Sequence, residues 1–510
     1  MLLIDYFERT AQSAPDRPFL HFVAEVDRSD IHLTYAQANQ FASARARELK
    51  ELGVGRKSIL ALLMHNSPDW VVTYLACQKI GAVCVGLHPA LTLSELVSML
   101  ESVGANYLIH GEDFATMARE FHEATSGVSV AGVTDMTNDT LVPIGPSLPR
   151  HADIDEHDGL AATFTSGTTG GAHKAGLQTH GAVVRAISGY VECLKTWERD
   201  RIMLVTPLSH SAALNWGMSL TLMSAGTLIL ARRFSASRFW EQAARSRPTV
   251  LWTMATILYI LQQQAVSADE RLALGGLRFV FGAGSSPRRG ALQARWGCPV
   301  IDGYGMTETF GTLTNFIAED NPFSYACMGA PVPGIDLQVV DITTRRECEP
   351  EEVGEIVARF GQGFAGYLNN AAETQDAVHD GWFHTGDLAF RDRAGRFYFV
   401  DRLKSIIRRG GENISSLEVE ECLATHPEVR EAIALAQPHD VLGEIVLAVL
   451  VPRQDGREFD LTEIQTFCDG KLSKFKWPEA VRTLSHDQIP RTGAGKVKKP
   501  ILRRSLFNAN

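Results

Sequence analysis

The sequence predicts an α/β protein that divides into two unequal parts. Over about the first 140 residues, helical patterns alternate with short apolar runs, which is typical of parallel α/β units. About the last hundred residues instead mix short strands with helices, as a small α+β domain does. The length of 510 residues is roughly two to four times that of a typical domain, so more than one domain is expected.

Periodicity predicts the elements of the first part. Residues 34–53 have the spacing of an amphipathic helix, the run SILALLM at 58–64 predicts a strand, and 67–81 predicts a second helix closed by a glycine. A polar, proline-bearing connection over 145–158 then leads into the strand-like run GLAATFTS at 159–166. A second α/β stretch is therefore expected to begin there.

The boundary of the small second part is expected in the segment 396–423. This segment passes from β-type residues through a charged turn into a helix near Ser416. We therefore predict a large part over 1–402 and a small part over 403–510. In the small part, EAIALA and EIVLAVLV predict strands and LTEIQTFCDGKL predicts a helix.

Composition limits the class of function. Apolar residues make up 45% of the chain and charged residues 21%, which is the ordinary globular range. The net charge of −10 argues against a nucleic-acid binder, which needs a surplus of Lys and Arg to neutralise phosphates. The expected partner is therefore a small molecule.

The cellular location is expected to be cytoplasmic. The eight cysteines are scattered without zinc-site spacing, which fits a reducing compartment. The N-terminus lacks the basic and apolar regions of a secretory signal. Residues 202–231 carry no charge, but Pro207, His210, Asn215 and Gly226 interrupt them, which favours a loop, a buried helix and a buried strand over a membrane span.

The segment FTSGTTGG at 164–171 has the composition of a phosphate-binding loop. It follows a strand pattern and contains three glycines and four hydroxyl residues in eight positions. Such a loop offers backbone N–H groups and hydroxyls to phosphate oxygens. It is not a GxxxxGK[ST] loop, because no Lys-Ser/Thr pair follows at that spacing.

Four further segments follow this loop in a characteristic order. They are IDGYGMTET at 301–309, HTGD at 384–387, DRLKSIIRRGGEN at 401–413 and PRTGAGKVKK at 490–499. With these motifs the chain resembles the adenylate-forming superfamily of acyl-CoA synthetases, adenylation domains and luciferases, over nearly its whole length. The resemblance implies stacked αβαβα and barrel subdomains in the large part, then a small mobile domain after a hinge near Lys404.

The resemblance also implies an ATP site. Its residues would be Thr165, Ser166, Gly167, Thr168, Thr169, Gly170, Lys174, Ala283, Gly284, Asp302, Gly303, Tyr304, Asp387 and Arg402. Among these, the loop from Thr165 to Gly170 would hold the β- and γ-phosphates, and Asp387 would accept hydrogen bonds from the ribose hydroxyls.

The implied catalytic set is Lys496, Thr307, Glu308 and His210. Thr307 would contact the α-phosphate, and Glu308 would bind Mg²⁺ as a hard oxygen ligand. Lys496 would meet both the incoming carboxylate and the α-phosphate. Because an anion attacks a polyanion, the repulsion between them must be cancelled, and Mg²⁺ and Lys496 would do this together.

One departure from the superfamily pattern concerns Lys174. The usual motif continues TSGTTG-x-Pro-Lys-Gly, whereas this chain continues with Gly171, Ala172, His173 and Lys174. The proline is missing and the lysine comes one residue later. Either Lys174 caps the phosphates from a looser loop, or His173 points there instead.

Coenzyme A is the expected acceptor of the acyl group. Gly410 and Gly411 resemble the glycine turn of the ligases, where a missing side chain admits the pantetheine arm. KFKWP at 474–478 occupies the place where many ligases of the superfamily contact the CoA nucleotide, so the resemblance implies that Phe475 stacks on its adenine and that Lys476 faces a phosphate. Two alternatives stay open: a stand-alone enzyme that loads a carrier-protein phosphopantetheine, and a non-catalytic nucleotide or acyl binder with an altered phosphate loop. A homodimer is possible.

The acid is expected to be short or of medium length. The resemblance places His210, Ser211, Trp216, Trp252, Met254, Phe281 and Phe310 around the acyl group. Aromatic bulk would shorten this pocket, and indole faces can hold a quaternary ammonium by cation–π attraction. A weak likeness to crotonobetaine/carnitine-CoA ligases points the same way, but no pocket carboxylate is identifiable, so a plain short or aromatic acid stays open.

Overall fold

The structure is a computed structural model, and it describes residues 1–25, 29–138, 145–165, 173–283, 289–309, 313–315, 327–359, 364–410, 412–491 and 495–507. It divides into two compact units. The first contains Met1–Thr165, Ala172–Leu337 and Ala358–Phe383, and the second contains Gln338–Val357 and His384–Asn510. The predicted boundary at residue 402 and the hinge at Lys404, which lies in a short 3-10 turn, stay predictions.

The strands are β1 Pro18–Val23, β2 Ile31–Thr34, β3 Ile59–Leu63, β4 Val83–Gly86, β5 Tyr107–His110, β6 Ser129–Gly132, β7 Gly159–Phe164, β8 Ala175–Thr179, β9 Arg201–Leu204, β10 Thr227–Ala231, β11 Val250–Met254, β12 Phe279–Ala283, β13 Val300–Tyr304, β14 Leu313–Asn315, β15 Cys327–Pro331, β16 Asp336–Val340, β17 Gly354–Arg359, β18 Val378–His379, β19 Trp382–Arg391, β20 Phe397–Arg402, β21 Ile407–Arg409, β22 Glu412–Ile414, β23 Val429–His439, β24 Gly443–Pro452 and β25 Ala480–Thr483.

The α-helices are α1 Leu3–Ser13, α2 Tyr35–Glu51, α3 Pro68–Ile80, α4 Leu93–Val103, α5 Ala115–Ala124, α6 His180–Leu194, α7 Leu220–Ser224, α8 Phe239–Ser246, α9 Ala255–Gln263, α10 Ala268–Leu274, α11 Arg289–Trp296, α12 Ala371–Ala377, α13 Ser416–Ala424, α14 Leu461–Cys468 and α15 Lys499–Phe507. A π-helical stretch, Ala213–Ser219, precedes α7. No helix of the described part of the chain is long and apolar enough to cross a membrane.

The predicted helices of the first part are confirmed, and their ends follow from capping chemistry. Thr34 accepts a hydrogen bond from the Gln37 N–H at the start of α2, which forms a capping box. Ser67 caps α3 in the same way. Gly81 ends α3 in the left-handed conformation, with φ +77°, which favours glycine.

One sheet of the first unit carries the two strands that flank the phosphate loop. Its order is β6–β5–β3–β4–β7–β8, and the pairs are parallel except for the antiparallel pair of β7 and β8. Apolar residues of β3, β4 and β5 pack against α4 and α5 in one core. The alternation of helices and apolar strands therefore produces the parallel α/β unit that the sequence predicts.

The second sheet of the first unit positions the remaining motifs. The described strands follow the order β2–β1–β10–β9–β11–β12–β13–β14–β15. The neighbours β9, β11, β12 and β13 are parallel, so their carboxyl ends lie at one edge. Ligands of open α/β sheets bind beyond that edge, where the strand-to-helix connections begin.

The uncharged segment 202–231 is buried and irregular. It contributes most of β9, then the π-helical stretch, α7 and β10. The predicted helix and strand are confirmed, and β9 is an additional strand. Gly217 in the π-helical stretch faces Leu204, whose side chain would lie only 2.3 Å from an added Cβ atom. A side chain there would force the stretch away from β9.

The second unit contains two groups of strands. β16, β17, β19 and β20 are neighbours in that order, and β22, β21, β24 and β23 form a separate sheet to which β25 adds by pairing with β24. α13 and α14 pack on the separate sheet in one apolar core. The predicted strands and helix of the last hundred residues are thus confirmed, whereas the barrel and the mobility of the small domain stay predictions.

Candidate active site

Glu308 lies in a tight turn just after β13. The Met306 N–H donates to Thr309 Oγ1 at 3.0 Å, and the Thr309 N–H donates to the Met306 carbonyl at 3.2 Å. The turn leaves Glu308 buried, and the Tyr367 hydroxyl donates to Glu308 Oε1 at 2.7 Å. Burial and the nearby Glu308 carboxylate raise the pKa of Tyr367, so that its hydroxyl remains a proton donor.

Thr307 and the segment after β9 meet at a hydroxyl contact. Ser211 Oγ lies 3.4 Å from Thr307 Oγ1, so two residues from distant parts of the predicted site are adjacent. His210 precedes Ser211 by one position, and its Nδ1 accepts a hydrogen bond from the Ala212 N–H at 3.2 Å. π-helical stretches such as the one that follows often occur at functional sites.

Lys174 stands where the chain leaves the phosphate loop. The Thr165 N–H donates to the Lys174 carbonyl at 2.8 Å, which brings the two ends of the loop together. The Lys174 ammonium forms an ion pair with Glu373 and lies 5.5 Å from the centroid of the Tyr367 ring. His173 makes an edge contact with Phe164, with ring centroids 6.2 Å apart. The loop residues Ser166, Gly167, Thr168, Thr169 and Gly170 lie outside the described residues.

Three residues predicted for the ATP site, Ala283, Gly303 and Tyr304, lie on neighbouring parallel strands. Ala283 at the end of β12 pairs in register with Gly303 of β13 and with Met254 of β11. Tyr304 follows Gly303 at the end of β13. The sheet therefore brings together residues that are about twenty to thirty positions apart in sequence, as parallel crossover connections do. Gly284, which was predicted beside them, lies outside the described residues.

Asp302 forms a buried ion pair. The Arg289 Nη1 atom of α11 donates to Asp302 Oδ2 at 2.9 Å, and both side chains are more than nine-tenths buried. Burial raises the pKa of Asp302 to about 7, against the lowering effect of the Arg289 guanidinium. Arg289 could not be found from a motif, because it depends on the packing of α11 on the sheet.

Aromatic side chains fill the region predicted for the acyl group. Trp216 lies 5.1 Å from Phe281 and 6.4 Å from Trp252, measured between ring centroids, and Tyr190 joins the cluster at 5.5 Å from Trp216. All four are buried. Among the described residues, the Trp252 indole N–H and both amide atoms of Asn215 have no hydrogen-bond partner.

The sequence analysis did not assign Tyr190 or Asn215 to the pocket, although both are buried beside predicted pocket residues. Tyr190 belongs to α6 and reaches Phe281 across the cluster, at 6.2 Å between centroids. Asn215 is the only amide in an otherwise apolar stretch after His210, which is a signal that could have selected it. Phe310 lies outside the described residues.

In the second unit, Asp387 and Arg402 are cross-strand partners. Asp387 of β19 pairs in register with Arg402 of β20, and Arg402 Nε lies 3.3 Å from Asp387 Oδ1. Asp387 is buried, whereas Arg402 is half exposed. Two predicted nucleotide residues are thus brought together by the antiparallel register.

The HTGD segment at 384–387 lies in β19 and is held by a residue that the sequence analysis missed. Glu355 accepts a hydrogen bond from the Gly386 N–H at 2.9 Å and pairs with His384 Nδ1 at 2.7 Å. Gly386 has φ +72°, a conformation that favours glycine. Thr385 donates to the Ile356 carbonyl at 2.8 Å, which ties the segment to β17.

The charges of Arg402 and Asp387 also act on Lys496. Removal from water by the surrounding protein and repulsion from Arg402 lower the pKa of the Lys496 ammonium, while Asp387 raises it. The loop that carries it is closed by a bridge between Arg491 and Val497 and by a bond from the Lys498 N–H to the Pro490 carbonyl at 2.8 Å. Lys496 is exposed as a residue, but the surrounding protein removes part of the water from its ammonium.

The residues predicted for CoA lie in the second unit, where the Lys476 ammonium lies 5.6 Å from the centroid of the Phe475 ring. Gly410 has φ +57° and donates its N–H to the Leu442 carbonyl at 2.8 Å. Phe475 packs against the core of α13 and α14, and the Lys476 ammonium bonds both carboxylate oxygens of Glu418 at 2.6 and 2.7 Å. Gly411 lies outside the described residues.

Comparison with known proteins identifies the class of enzyme. The model of the family described as AMP-binding enzyme matches residues 7–368, and that of the AMP-binding enzyme C-terminal domain matches residues 418–496. The chain therefore belongs to the AMP-binding enzyme family. This confirms the adenylate-forming superfamily, of the acyl-CoA synthetase type, that the five motifs predict.

Curated relatives and solved structures agree with this membership. The chain is 30% identical to a probable CoA ligase of Humulus lupulus over 93% of its own length and 91% of the relative. It is 31% identical to a feruloyl-CoA synthase of Amycolatopsis over 92% and 94% of the two chains. The structure of the Bacillus subtilis o-succinylbenzoate CoA synthetase with ATP and magnesium matches with a TM-score of 0.83, 25% identity and coverage of 98% and 99%. The chain is an AMP-forming acyl-CoA ligase.

Removing Arg289 should destabilise the first unit, because the Asp302 carboxyl would lose its buried partner. We expect Arg289→Met to lower the free energy of unfolding by about 3–5 kcal/mol, measured by urea denaturation of the full chain. The double variant Arg289→Met with Asp302→Asn removes both charges and should recover part of this loss. A single variant as stable as the parent would show that the pair does not hold α11 on the sheet.

Proposed function

We propose that the ligase uses Lys496, Asp387 and Arg402 on the nucleotide and Thr307 and Glu308 on its phosphates. The observation that supports the proposal is the cross-strand pair of Asp387 and Arg402, whose atoms lie 3.3 Å apart and whose charges also act on the pKa of Lys496. The buried carboxylate would accept ribose hydroxyls, and the ammonium would interact with the reacting phosphate. Such a cation can stabilise the charge that develops during adenylation.

The first half-reaction joins the acid to AMP. A carboxylate oxygen of the acid attacks the α-phosphorus of ATP, the bond between the α-phosphorus and the bridging oxygen breaks, and pyrophosphate leaves with its electron pair. Lys496 would neutralise charge between the two anions, and the Thr307 hydroxyl would donate to an α-phosphate oxygen. Partial desolvation, which also lowers the pKa of the ammonium, strengthens the attraction of the charged form to anions, because water screens it less.

The residues around Glu308 suit a magnesium ion. Mg²⁺ prefers hard oxygen ligands and is usually bound by one or two carboxylates together with substrate phosphates. Glu308 is a buried carboxylate held by a hydroxyl donor, which is such a ligand. When bound, Mg²⁺ would offset the negative charge of the phosphates.

The second half-reaction transfers the acyl group to a thiol. The CoA sulfur attacks the acyl carbon, the bond from that carbon to the phosphate oxygen breaks, and AMP leaves. Gly410 and Gly411 would admit the pantetheine arm, and Phe475 would stack on the CoA adenine. Lys476 would have to exchange Glu418 for a phosphate, so its contribution depends on the strength of that ion pair.

We propose a compact acid as the substrate. The cluster of Tyr190, Trp216, Trp252 and Phe281 fills the region predicted for the acyl group. One relative is named for an aromatic acid and another for long-chain fatty acids, so the proposal rests on the aromatic cluster. His210 and Ser211 would line the end of the pocket that adjoins Thr307.

The alternatives are weighed by the same observations. A carrier-protein loading enzyme would use the same adenylation residues, but the relatives that match over nearly their whole length are named as a CoA ligase and a CoA synthase. A non-catalytic binder would not need a lysine whose charge interacts with Asp387. We also propose a cytoplasmic location, since none of the eight cysteines forms a disulfide, and a homodimer stays a prediction.

The lysine is tested by separating the half-reactions. Lys496→Ala should slow ATP–pyrophosphate exchange by roughly a hundredfold or more, because charge cancellation in the first step is lost. Supplied acyl-adenylate should still react with CoA at nearly the parental rate. Lys498→Ala, which removes a neighbouring cation of the same loop, serves as control. Equal loss of both half-reactions would contradict the assignment.

Asp387 is tested through nucleotide affinity. Asp387→Ala removes a charged acceptor of ribose hydroxyls, which is worth about 1.5–3 kcal/mol, so the ATP KM should rise about 10- to 150-fold. The exposed Asp455→Ala provides a control for loss of a carboxylate in the same unit. An unchanged ATP KM would remove Asp387 from the site.

The acid is tested with a panel of carboxylic acids assayed by ATP- and CoA-dependent release of AMP. We expect benzoate, butyrate or crotonobetaine to give higher kcat/KM than palmitate, because the aromatic cluster fills the region predicted for the acyl group. Trp216→Ala should raise relative turnover of longer acids by opening that space. Turnover with palmitate above that with all three small acids would refute this description of the pocket.

A further inference from the structure

The ammonium of Lys174 contacts two side chains of the protein. It forms an ion pair with Glu373 of α12 and lies 5.5 Å from the centroid of the Tyr367 ring. A cation near an aromatic face is attracted by the ring quadrupole. Lys174 therefore contacts Glu373 and Tyr367 of the segment 364–377. Strand β8, which begins at the next residue, is joined to this segment by the bridge between Gly176 and Tyr367.

Backbone contacts fix Tyr367 against that strand. Tyr367 forms a bridge with Gly176 of β8, and its N–H donates to Thr374 Oγ1 at 2.9 Å. Its ring packs edge-on against Phe364, with centroids 4.8 Å apart. The hydroxyl is thereby held at a defined place, and from there it donates to Glu308 Oε1 at 2.7 Å.

We infer that Tyr367 is a positioning residue for Glu308, and that Lys174 and Glu373 act through Tyr367 rather than on a phosphate. The inference rests on the proposed function, because it takes Glu308 as a ligand of the magnesium of MgATP. It explains why a lysine one position later than the usual motif is compatible with activity. Through Tyr367, the displaced lysine would help to hold Glu308 in the orientation that binds the metal.

The physical basis is the orientation of a flexible carboxylate. A glutamate has several rotatable bonds, and its two oxygens provide about four lone-pair positions. A donor fixed in the surrounding protein selects one orientation and leaves acceptor capacity for a cation. Hydrogen-bond partners of metal-binding carboxylates typically change metal affinity or activity about 10- to 100-fold when they are removed.

The test compares Tyr367→Phe with the parent in two measurements. The first is the Mg²⁺ concentration that gives half-maximal ATP–pyrophosphate exchange at saturating acid, which should rise about tenfold or more. The second is Mn²⁺ binding in the presence of ATP, followed by electron paramagnetic resonance, which should weaken by a similar factor. Tyr398→Phe, which deletes a hydroxyl bonded to Asp392, is the matched control.

Lys174 distinguishes the inference from a role on phosphate. Lys174→Met should raise the half-maximal Mg²⁺ concentration in the same direction as Tyr367→Phe, and the double variant should be little worse than Tyr367→Phe alone. A lysine that contacts a phosphate would instead raise the ATP KM at saturating Mg²⁺ and add its effect to that of Tyr367→Phe. Glu373→Gln should reproduce the effect of Lys174→Met.

The outcomes distinguish a failure of the proposed function from a failure of the inferred role of Tyr367. If the parent shows no pyrophosphate exchange with any acid, the proposed function fails, and the inference is then judged on Mn²⁺ binding with ATP. If the parent is active but Tyr367→Phe leaves both metal measurements unchanged, the inference is overturned. Additive effects of Lys174→Met and Tyr367→Phe would also overturn it.

Discussion

Burial of carboxylates imposes the strongest constraint on this protein. An ionised carboxylate removed from water is stable only with a charged or hydrogen-bonding partner. Asp302 receives the guanidinium of Arg289, Glu308 receives the hydroxyl of Tyr367, and Asp387 receives Arg402. The partners come from three different segments: α11, the segment 364–370 and β20. Each of these segments must therefore pack beside the carboxylate that its residue contacts.

This constraint links the fold to the chemistry. A site that binds ATP needs oxygen ligands and acceptors. Here Asp387 lies within strand β19, and Glu308 lies in a turn just after β13. The price is that every acceptor requires a donor packed beside it. Parallel register brings Ala283, Gly303 and Met254 together, whereas antiparallel register brings Asp387 to Arg402.

The same reasoning explains why a departure from a motif need not abolish a function. Lys174 is displaced by one residue, yet it still has a carboxylate, Glu373, and an aromatic ring, Tyr367, within reach. Lys174 directly precedes strand β8, and the bridge between Gly176 of β8 and Tyr367 keeps the two segments adjacent. A change of position along the chain thus changes which groups the ammonium contacts, without leaving it unpartnered.

The amino-acid sequence by itself determined the family, the fold class and several of the helices and strands, and it predicted the residues that would carry nucleotide chemistry. The family follows from the five motifs, whereas capping and periodicity act over a few residues, as Thr34, Ser67 and Gly81 illustrate. Only the tertiary structure decided the partners: Tyr367 lies 59 positions from Glu308 and Glu355 lies 31 positions from Gly386. Such contacts depend on how strands and helices pack over long sequence separations, and local periodicity contains no information about that packing.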